Sequence, residues 1–321
     1  MSYLDATHKL YTEVAQTPDV GLCCTTSPRW QLPGLSIPKI MQEMNYGCGT
    51  TVSAADLAQQ PTVLYVGVGG GMELLQFAYF SRRKGAVIGV DAVDAMLEAC
   101  TSNLKVAQEE NEWFEPSFID LRKGDALNLP IPDASVDVAA QNCLFNIFKQ
   151  EDLDKSLSEM FRVLKPHGRL VMSDPICETP LPQSIRDNDE MRAACLSGAI
   201  SLQAYVDALV KARFATIEIR ARRPYRILSP EHHNTDQLIP IESIEVCAIK
   251  DPMPDDGPCI FSGRSAIYYG DQSYFNDGKG HVLMANQPLA VCDKTAAALE
   301  ALNAPIYISP STYHYSGGGC C

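Results

Sequence analysis

The chain has 321 residues, of which 46% are hydrophobic and 20% charged, the composition of ordinary globular material with room for one large domain or two moderate ones. Its 26 Lys and Arg against 39 Asp and Glu give a formal net charge of −13, which excludes the basic surface that a nucleic-acid or anionic-membrane partner needs. The opening MSYLDATHKLYTEVAQ is no secretory signal and no window reaches 18 consecutive apolar residues, so no membrane span is expected and cytoplasmic is the default location.

After a region rich in Pro and Gly, residues 62–66 form a continuous apolar run, expected as a strand buried on both faces. Gly67-Val68-Gly69-Gly70-Gly71 follows, then a helix over 72–82. A second buried strand over 86–90 ends at Asp91, and a helix follows over 93–110. Further strands are expected near 118–123, 135–141 and 169–173, with a helix over 151–164 and a turn at Pro166-His167-Gly168. Beyond Asp174 the spacing predicts helices over 185–196 and 202–213, strands near 216–222 and 243–249, a loop over 251–258, a strand-rich stretch to Cys292 and a helix over 293–302.

Strands alternating with helices at this spacing indicate a doubly wound, mostly parallel α/β sheet, which binds ligands outside the carboxyl ends of its strands. That rim would carry Gly67, Gly69, Gly71, Asp91, Asp125 and Asn142. The glycines let a turn approach a ligand without Cβ obstruction, and a carboxylate ending the second strand can accept from ribose hydroxyls. The expected organisation is 1–60 as a segment covering the site, 61–175 as the cofactor domain, 176–310 as a smaller α+β region and 311–321 as a flexible Gly-Cys tail.

Gly-Val-Gly-Gly-Gly, Asp91, Gly124-Asp125-Ala126 and the run Leu164-Lys165-Pro166-His167-Gly168-Arg169-Leu170 resemble the class I methyltransferases that use S-adenosylmethionine (SAM). The resemblance implies a Rossmann-like fold with SAM held by Gly67, Gly69, Gly71, Asp91, Met96, Asp125, Ala126 and Asn142. One departure is Tyr65, where the family usually has an acidic residue.

Twelve cysteines invite a narrower comparison. Asn45-Tyr46-Gly47-Cys48-Gly49, Gln141-Asn142-Cys143-Leu144-Phe145-Asn146 and Ala194-Cys195-Leu196-Ser197-Gly198 resemble segments of the arsenite methyltransferases, over about residues 40–302. Gly21-Leu22-Cys23-Cys24-Thr25 and the closing Gly-Gly-Gly-Cys-Cys look like the subgroup tied to arsenosugar biosynthesis. The resemblance implies arsenite and its methylated products as substrates, a thiol reductant (glutathione or thioredoxin), arsenic presented as a thiol complex, and handover to a downstream arsenosugar enzyme. It implies Cys48, Cys195 and Cys259 as catalytic arsenic ligands converging near the SAM methyl, with Cys247 as the fallback for Cys259. It also implies that a thiol of the Cys23/Cys24 pair closes a disulfide with Cys48 during turnover. Cys320–Cys321 reads as a dithiol able to capture and deliver arsenite. Cys100, Cys143, Cys177 and Cys292 read as small core residues. Competing readings are a SAM methyltransferase for a small organic acceptor and a non-catalytic thiol sensor or scavenger of metalloids.

Overall fold

The computed structural model describes residues 2–19, 22, 32–233 and 235–315; Cys23, Cys24, Cys320 and Cys321 lie outside the described residues. Helix α1 (Tyr3–Gln16) begins with a reciprocal cap, in which Ser2 and Asp5 each bond the other's backbone N–H. Two short helices, α2 (Lys39–Glu43) and α3 (Ala54–Leu57), precede the alternating part. That part runs β1 (Val63–Val66), α4 (Met72–Ser81), β2 (Val87–Asp91), α5 (Asp94–Glu110), β3 (Ile119–Lys123), β4 (Val136–Asn142), α6 (Gln150–Val163) and β5 (Leu164–Ile176). Then come α7 (Gln183–Arg186), α8 (Asp189–Ala193), α9 (Leu202–Lys211), β6 (Thr216–Leu228), α10 (Pro230–His233), β7 (Ile239–Ile249) and β8 (Cys259–Phe261). The chain closes with β9 (Arg264–Tyr268), β10 (Tyr274–Asn276), β11 (Val282–Met284), β12 (Leu289–Val291), α11 (Asp293–Glu300) and β13 (Ile306–Ile308).

The main sheet has the order β3-β2-β1-β4-β5-β7-β6-β8. Its first five strands are parallel, β7 runs against β5, and β6 and β8 return to the original direction. All four residues of β1 are buried, as its unbroken apolar run requires. Val63 and Tyr65 pack with Leu74, Phe77 and Leu104 on one face, while Leu64 and Val66 pack with Leu157 and Leu209 on the other. Alternation along one strand thus builds both cores. A separate small sheet, β12-β9-β13, carries α11 and has its own core of Ala266, Tyr268, Leu283, Val291, Ala296 and Leu299.

Three departures from the expected elements bear on the site. The helix expected over 185–196 is two short helices, because the Asn188 side chain accepts from the Met191 N–H at 2.9 Å and starts α8 afresh. Strands β6 and β7 run well past the expected 216–222 and 243–249, pairing from Arg222 to Leu228 with Ile239 to Ile244. Leu228, Ile239 and Ile241 on this arm pack against Ile185 and Leu196, which holds the segment carrying Cys195 over the rim. Finally, β5 takes in the turn expected at 166–168, with His167 at φ +62°. The stretch 311–315, expected to be flexible, is fastened to the fold by the Tyr313 N–H to Ser262 and the Tyr315 N–H to Ile219.

Residues 39–57 are pinned to the sheet by a buried ion cluster. Asp56, with 1% of its side chain exposed, accepts from Arg169 at 2.7 Å and Arg220 at 2.5 Å. Burial opposes its charge, but the two guanidiniums win and hold its pKa below the usual carboxylate range.

Candidate active site

The strand order reverses between β1 and β4, and there the chain leaves a cavity at the carboxyl ends of the strands. Gly67 at φ +82° and Gly69 at φ +51° bend the turn so that its backbone lines this cavity. Met96, Asp91, Asp125, Ala126 and Asn142 line it as well. Gly71 does not; at φ +87° it opens α4, with Cys100 behind it. Helix α1 lies across the opening and contributes Leu4, Thr7, His8 and Tyr11 to the wall.

Asp91 is held by backbone donors: Val68 N–H to one oxygen and Val93 N–H to the other, each at 2.9 Å. Burial pushes its pKa up to about 6, against the pull of these donors and of His8. Each oxygen keeps a lone pair for a ligand. Among the described residues lining the cavity there is no lysine or arginine, while Glu73, Asp91 and Asp125 bring three carboxyl groups. Such a wall suits a cationic guest and is ill suited to the phosphates of a dinucleotide. The sulfonium and ammonium of SAM would fit such a wall, where Asp91 would be available to ribose hydroxyls and the Gly67–Gly69 backbone to a close approach.

Glu73 was not legible as a site residue. It is 5% exposed and takes a hydrogen bond from the Tyr65 hydroxyl, two from Thr51 (N–H at 3.0 Å, Oγ1 at 2.7 Å) and one from Asn142 Nδ2 at 3.3 Å. Burial raises its pKa, opposed by these donors. So the tyrosine that replaces the usual acid is paired with an acid supplied from the first turn of α4.

Beyond Asn142 lies a buried cluster of Cys48, Cys143 and Cys195 with Tyr3 and Ile147. The Cys48 N–H donates to Asn142 Oδ1 at 3.0 Å, and Asn142 Nδ2 donates to the Gly49 carbonyl at 3.0 Å. A Cβ on Gly47 would stand 2.4 Å from Asn142, and one on Gly49 would stand 2.3 Å from Ser173 Oγ, so the glycines flanking Cys48 permit this close seating. The Cys195 thiol donates to the Cys143 carbonyl at 2.8 Å, and Asn146 Nδ2 donates to the Cys195 carbonyl at 3.2 Å. Cys143 and Cys195 both sit at positive φ, +59° and +58°, a conformation costly for a residue with a Cβ and sustained here by the packing around them.

The expected ligand set is corrected by this geometry. Cys143, read as a core residue, is part of the cluster, whereas Cys259 is not. Cys259 begins β8, four strand spacings from β4 and so about 19 Å across the sheet. Its register, through Thr216, Ile249 and Arg169 to Val138, puts it level with the start of β4, at the opposite end from the rim. The fallback Cys247 is also elsewhere, fully buried in the core with α4 and α5, near Arg220 and Asp56. Among the described residues no three His, Cys, Asp or Glu side chains are already grouped as a metal site, since Cys48 Sγ faces Ser173 Oγ at 3.3 Å and Cys195 faces a carbonyl. As placed, the three thiols are not turned onto one ion.

A sequence profile described as a methyltransferase domain matches residues 57–222, more than half of the chain. The chain belongs to the methyltransferase-domain family. Among curated relatives of this methyltransferase, an arsenite methyltransferase of Halobacterium salinarum is 29% identical over 55% of this chain and 43% of that protein. One from Aquipseudomonas alcaligenes is 32% identical over 56% of this chain and 51% of that protein. A mouse arsenite methyltransferase is 28% identical over 48% and 41%. The matches therefore span about half the length of these relatives. In fold, the methyltransferase resembles the crystal structure of an arsenic(III) SAM methyltransferase from Chlamydomonas reinhardtii, with a TM-score of 0.59 at 23% identity, covering 87% of this chain and 95% of that one. No helix among the described residues is long and apolar enough to cross a membrane.

If Asp91 binds ribose as a carboxylate, affinity for S-adenosylhomocysteine should be flat above pH 7. It should fall below pH 6, by up to about tenfold per pH unit, as the carboxyl protonates. Calorimetric titration from pH 5 to 8 measures this, and Asp91→Asn should bind more weakly with no such slope. An equal slope in that variant would assign the proton to another group.

Proposed function

We propose that the protein transfers the SAM methyl group to trivalent arsenic held by Cys48, Cys143 and Cys195. The observation that carries this reading is the burial of three thiols in one cluster beside Asn142, at the edge of an acidic cavity suited to SAM. Trivalent arsenic is soft and prefers thiolate ligands, as soft metal ions do. Each thiol that binds arsenite exchanges an As–O bond for an As–S bond, and its proton leaves with the hydroxide as water. Three sulfurs leave the arsenic lone pair on the open face of a pyramid. SAM, when bound, supplies an electrophilic methyl group on a sulfonium leaving group.

The residues then have to position rather than to deprotonate. Asn142 fixes the Cys48 loop, Asn146 fixes the Cys195 carbonyl, and α1 with Tyr11 closes the cluster from solvent; the Tyr11 hydroxyl is 3.9 Å from Cys195 Sγ. Such placement supplies a large part of a displacement rate. Forming the As–C bond spends the lone pair and leaves arsenic pentavalent. Two cysteine thiolates return an electron pair by closing a disulfide, which a reductant of the glutathione or thioredoxin type reopens. Methylated products re-entering the cluster would give dimethylarsenic. The likeness of Gly21–Thr25 and the Gly-Gly-Gly-Cys-Cys segment to the arsenosugar subgroup supports handover of that product to an arsenosugar-forming enzyme.

Incubation with SAM, arsenite and a dithiol, followed by arsenic speciation, tests the function. Methyl- and dimethylarsenic are expected. Tight SAM binding with arsenite left unmethylated would instead favour an organic acceptor.

A further inference from the structure

Two buried oxygen atoms beside the thiol cluster have no hydrogen-bond partner among the described residues: the Tyr205 hydroxyl and Asn146 Oδ1. Both residues are 2% exposed. A buried polar atom left unsatisfied costs free energy, so folds keep few of them. Neither group can be satisfied by turning it over. Asn146 Nδ2 is spent on the carbonyls of Pro175 and Cys195, each at 3.2 Å, which leaves its oxygen as the open end. Tyr205 is held by its place on α9, in the core shared with Leu64, Val66 and Leu209.

Asp174 ties the two together. It lies on β5 one residue past Ser173, the partner of the last residue of β4, and so at the rim where Cys143 leaves the sheet. Fully buried, it accepts from Gln141 Nε2 and from the Asn146 N–H at 3.3 Å. Gln141 Oε1 in turn accepts from the Leu144 N–H at 2.7 Å, so this carboxyl braces the reversal that carries Cys143. The Tyr205 hydroxyl interacts electrostatically with Asp174, Cys48 and Cys143, which places it beside two of the three thiols. Asn146 borders the third, Cys195. The thiol cluster is therefore flanked by one group able to donate a hydrogen bond and one able only to accept. A hydroxyl group satisfies both at once, accepting from Tyr205 and donating to Asn146 Oδ1. A thiolate sulfur, a weak acceptor with no proton to give, does not.

We propose that Tyr205 and Asn146 hold the last hydroxyl of a trivalent hydroxyarsenical while the thiols replace the others. The substrate admitted is then the oxyacid, not the thiol complex that the family resemblance implies. This deepens the function proposed above and rests on it for the choice of arsenic. Two thiols and As(OH)3 give (RS)2AsOH and two waters. The third thiol passes its proton to the held hydroxyl, the As–O bond breaks, an As–S bond forms and a third water leaves. No electron is transferred. The hydrogen bond from Tyr205 stabilises the charge that develops on the departing oxygen.

Tyr205→Phe tests this, since it removes one oxygen and keeps the ring in the core. Full-length parent and variant, reduced with a phosphine, are mixed with arsenic in the absence of SAM and desalted at intervals. Bound arsenic is measured by elemental mass spectrometry, counting only the part lost in Cys195→Ser. With arsenite alone, uptake by the variant should be at least tenfold slower. With arsenic carried as its tris-glutathione complex in excess glutathione, the two proteins should differ by less than twofold. The arsenic-free variant should melt no lower than the parent, because the hydroxyl removed has no partner, and should keep its affinity for S-adenosylhomocysteine. Equal arsenite uptake by both proteins, equal slowing in both arms, or a lower melting temperature of the arsenic-free variant would overturn the inference. Methylation of arsenite by the parent is scored separately. Absent methylation with Tyr205-dependent uptake would remove the proposed function and leave the hydroxyl position standing. Methylation with uptake indifferent to Tyr205 would do the reverse, and no uptake by the parent would remove both.

Discussion

On the function proposed above, Cys195→Ser is expected to lower arsenite methylation by about 100-fold or more, while affinity for S-adenosylhomocysteine stays within about threefold. The hydroxyl is a hard, poor ligand for arsenic, so the ion would be held by two sulfurs and its lone pair misdirected. Cys143→Ser should act as strongly, which separates the observed cluster from the expected set of Cys48, Cys195 and Cys259. Cys247→Ala is the control, because that thiol is buried in the core beside Arg220 with a pKa pushed upward by burial. Arsenic speciation at saturating arsenite, with initial rates, measures all three. Full activity in Cys143→Ser would return Cys143 to the core role its isolation in the sequence suggested.

The reasons that the Cys48–Cys143–Cys195 cluster was not legible are physical. The alternation of apolar runs with amphipathic helices was visible, and with it the rim carrying Gly67, Gly69, Asp91 and Asn142. Such features are local in sequence, being a strand, a turn and a helix start. Cys143 carries no local sign, since a single cysteine after a buried strand looks like any small apolar residue. Its difference lies in a positive φ and in a contact from Cys195, 52 residues on. That contact depends on Asn188 breaking a helix and on the long β6–β7 arm bracing Leu196. Neither length nor break is written in hydrophobic period. Cys259 was misplaced for the converse reason. Its segment resembles a ligand region, but β8 pairs at the start of β6 and is thereby carried to the far edge. Glu73 was hidden in plain view, as one more acidic residue in a first helical turn, where the dipole alone would justify it.

Glu73→Gln carries the second large effect. A carboxylate sunk to 5% exposure and raised in pKa by burial takes its hydrogen bonds from the neutral groups of Tyr65, Thr51 and Asn142, and no cation among the described residues is paired with it. It lines the cavity in which SAM would bring an ammonium group. Loss of a charge-assisted hydrogen bond there should weaken S-adenosylmethionine and S-adenosylhomocysteine by about 10- to 100-fold. Methylthioadenosine, which shares the nucleoside but lacks the ammonium, should bind the variant and the parent alike. Calorimetry with the three ligands separates this role from a purely structural one. If Glu73 served only to steady Asn142 and the Cys48 loop, the three nucleosides would weaken together or not at all, and the loss would fall on KM for arsenite instead. A selective loss for the two amino-acid ligands would mean that the acid missing at Tyr65 has moved to the first turn of α4, with Tyr65 now donating its hydroxyl to keep that acid charged.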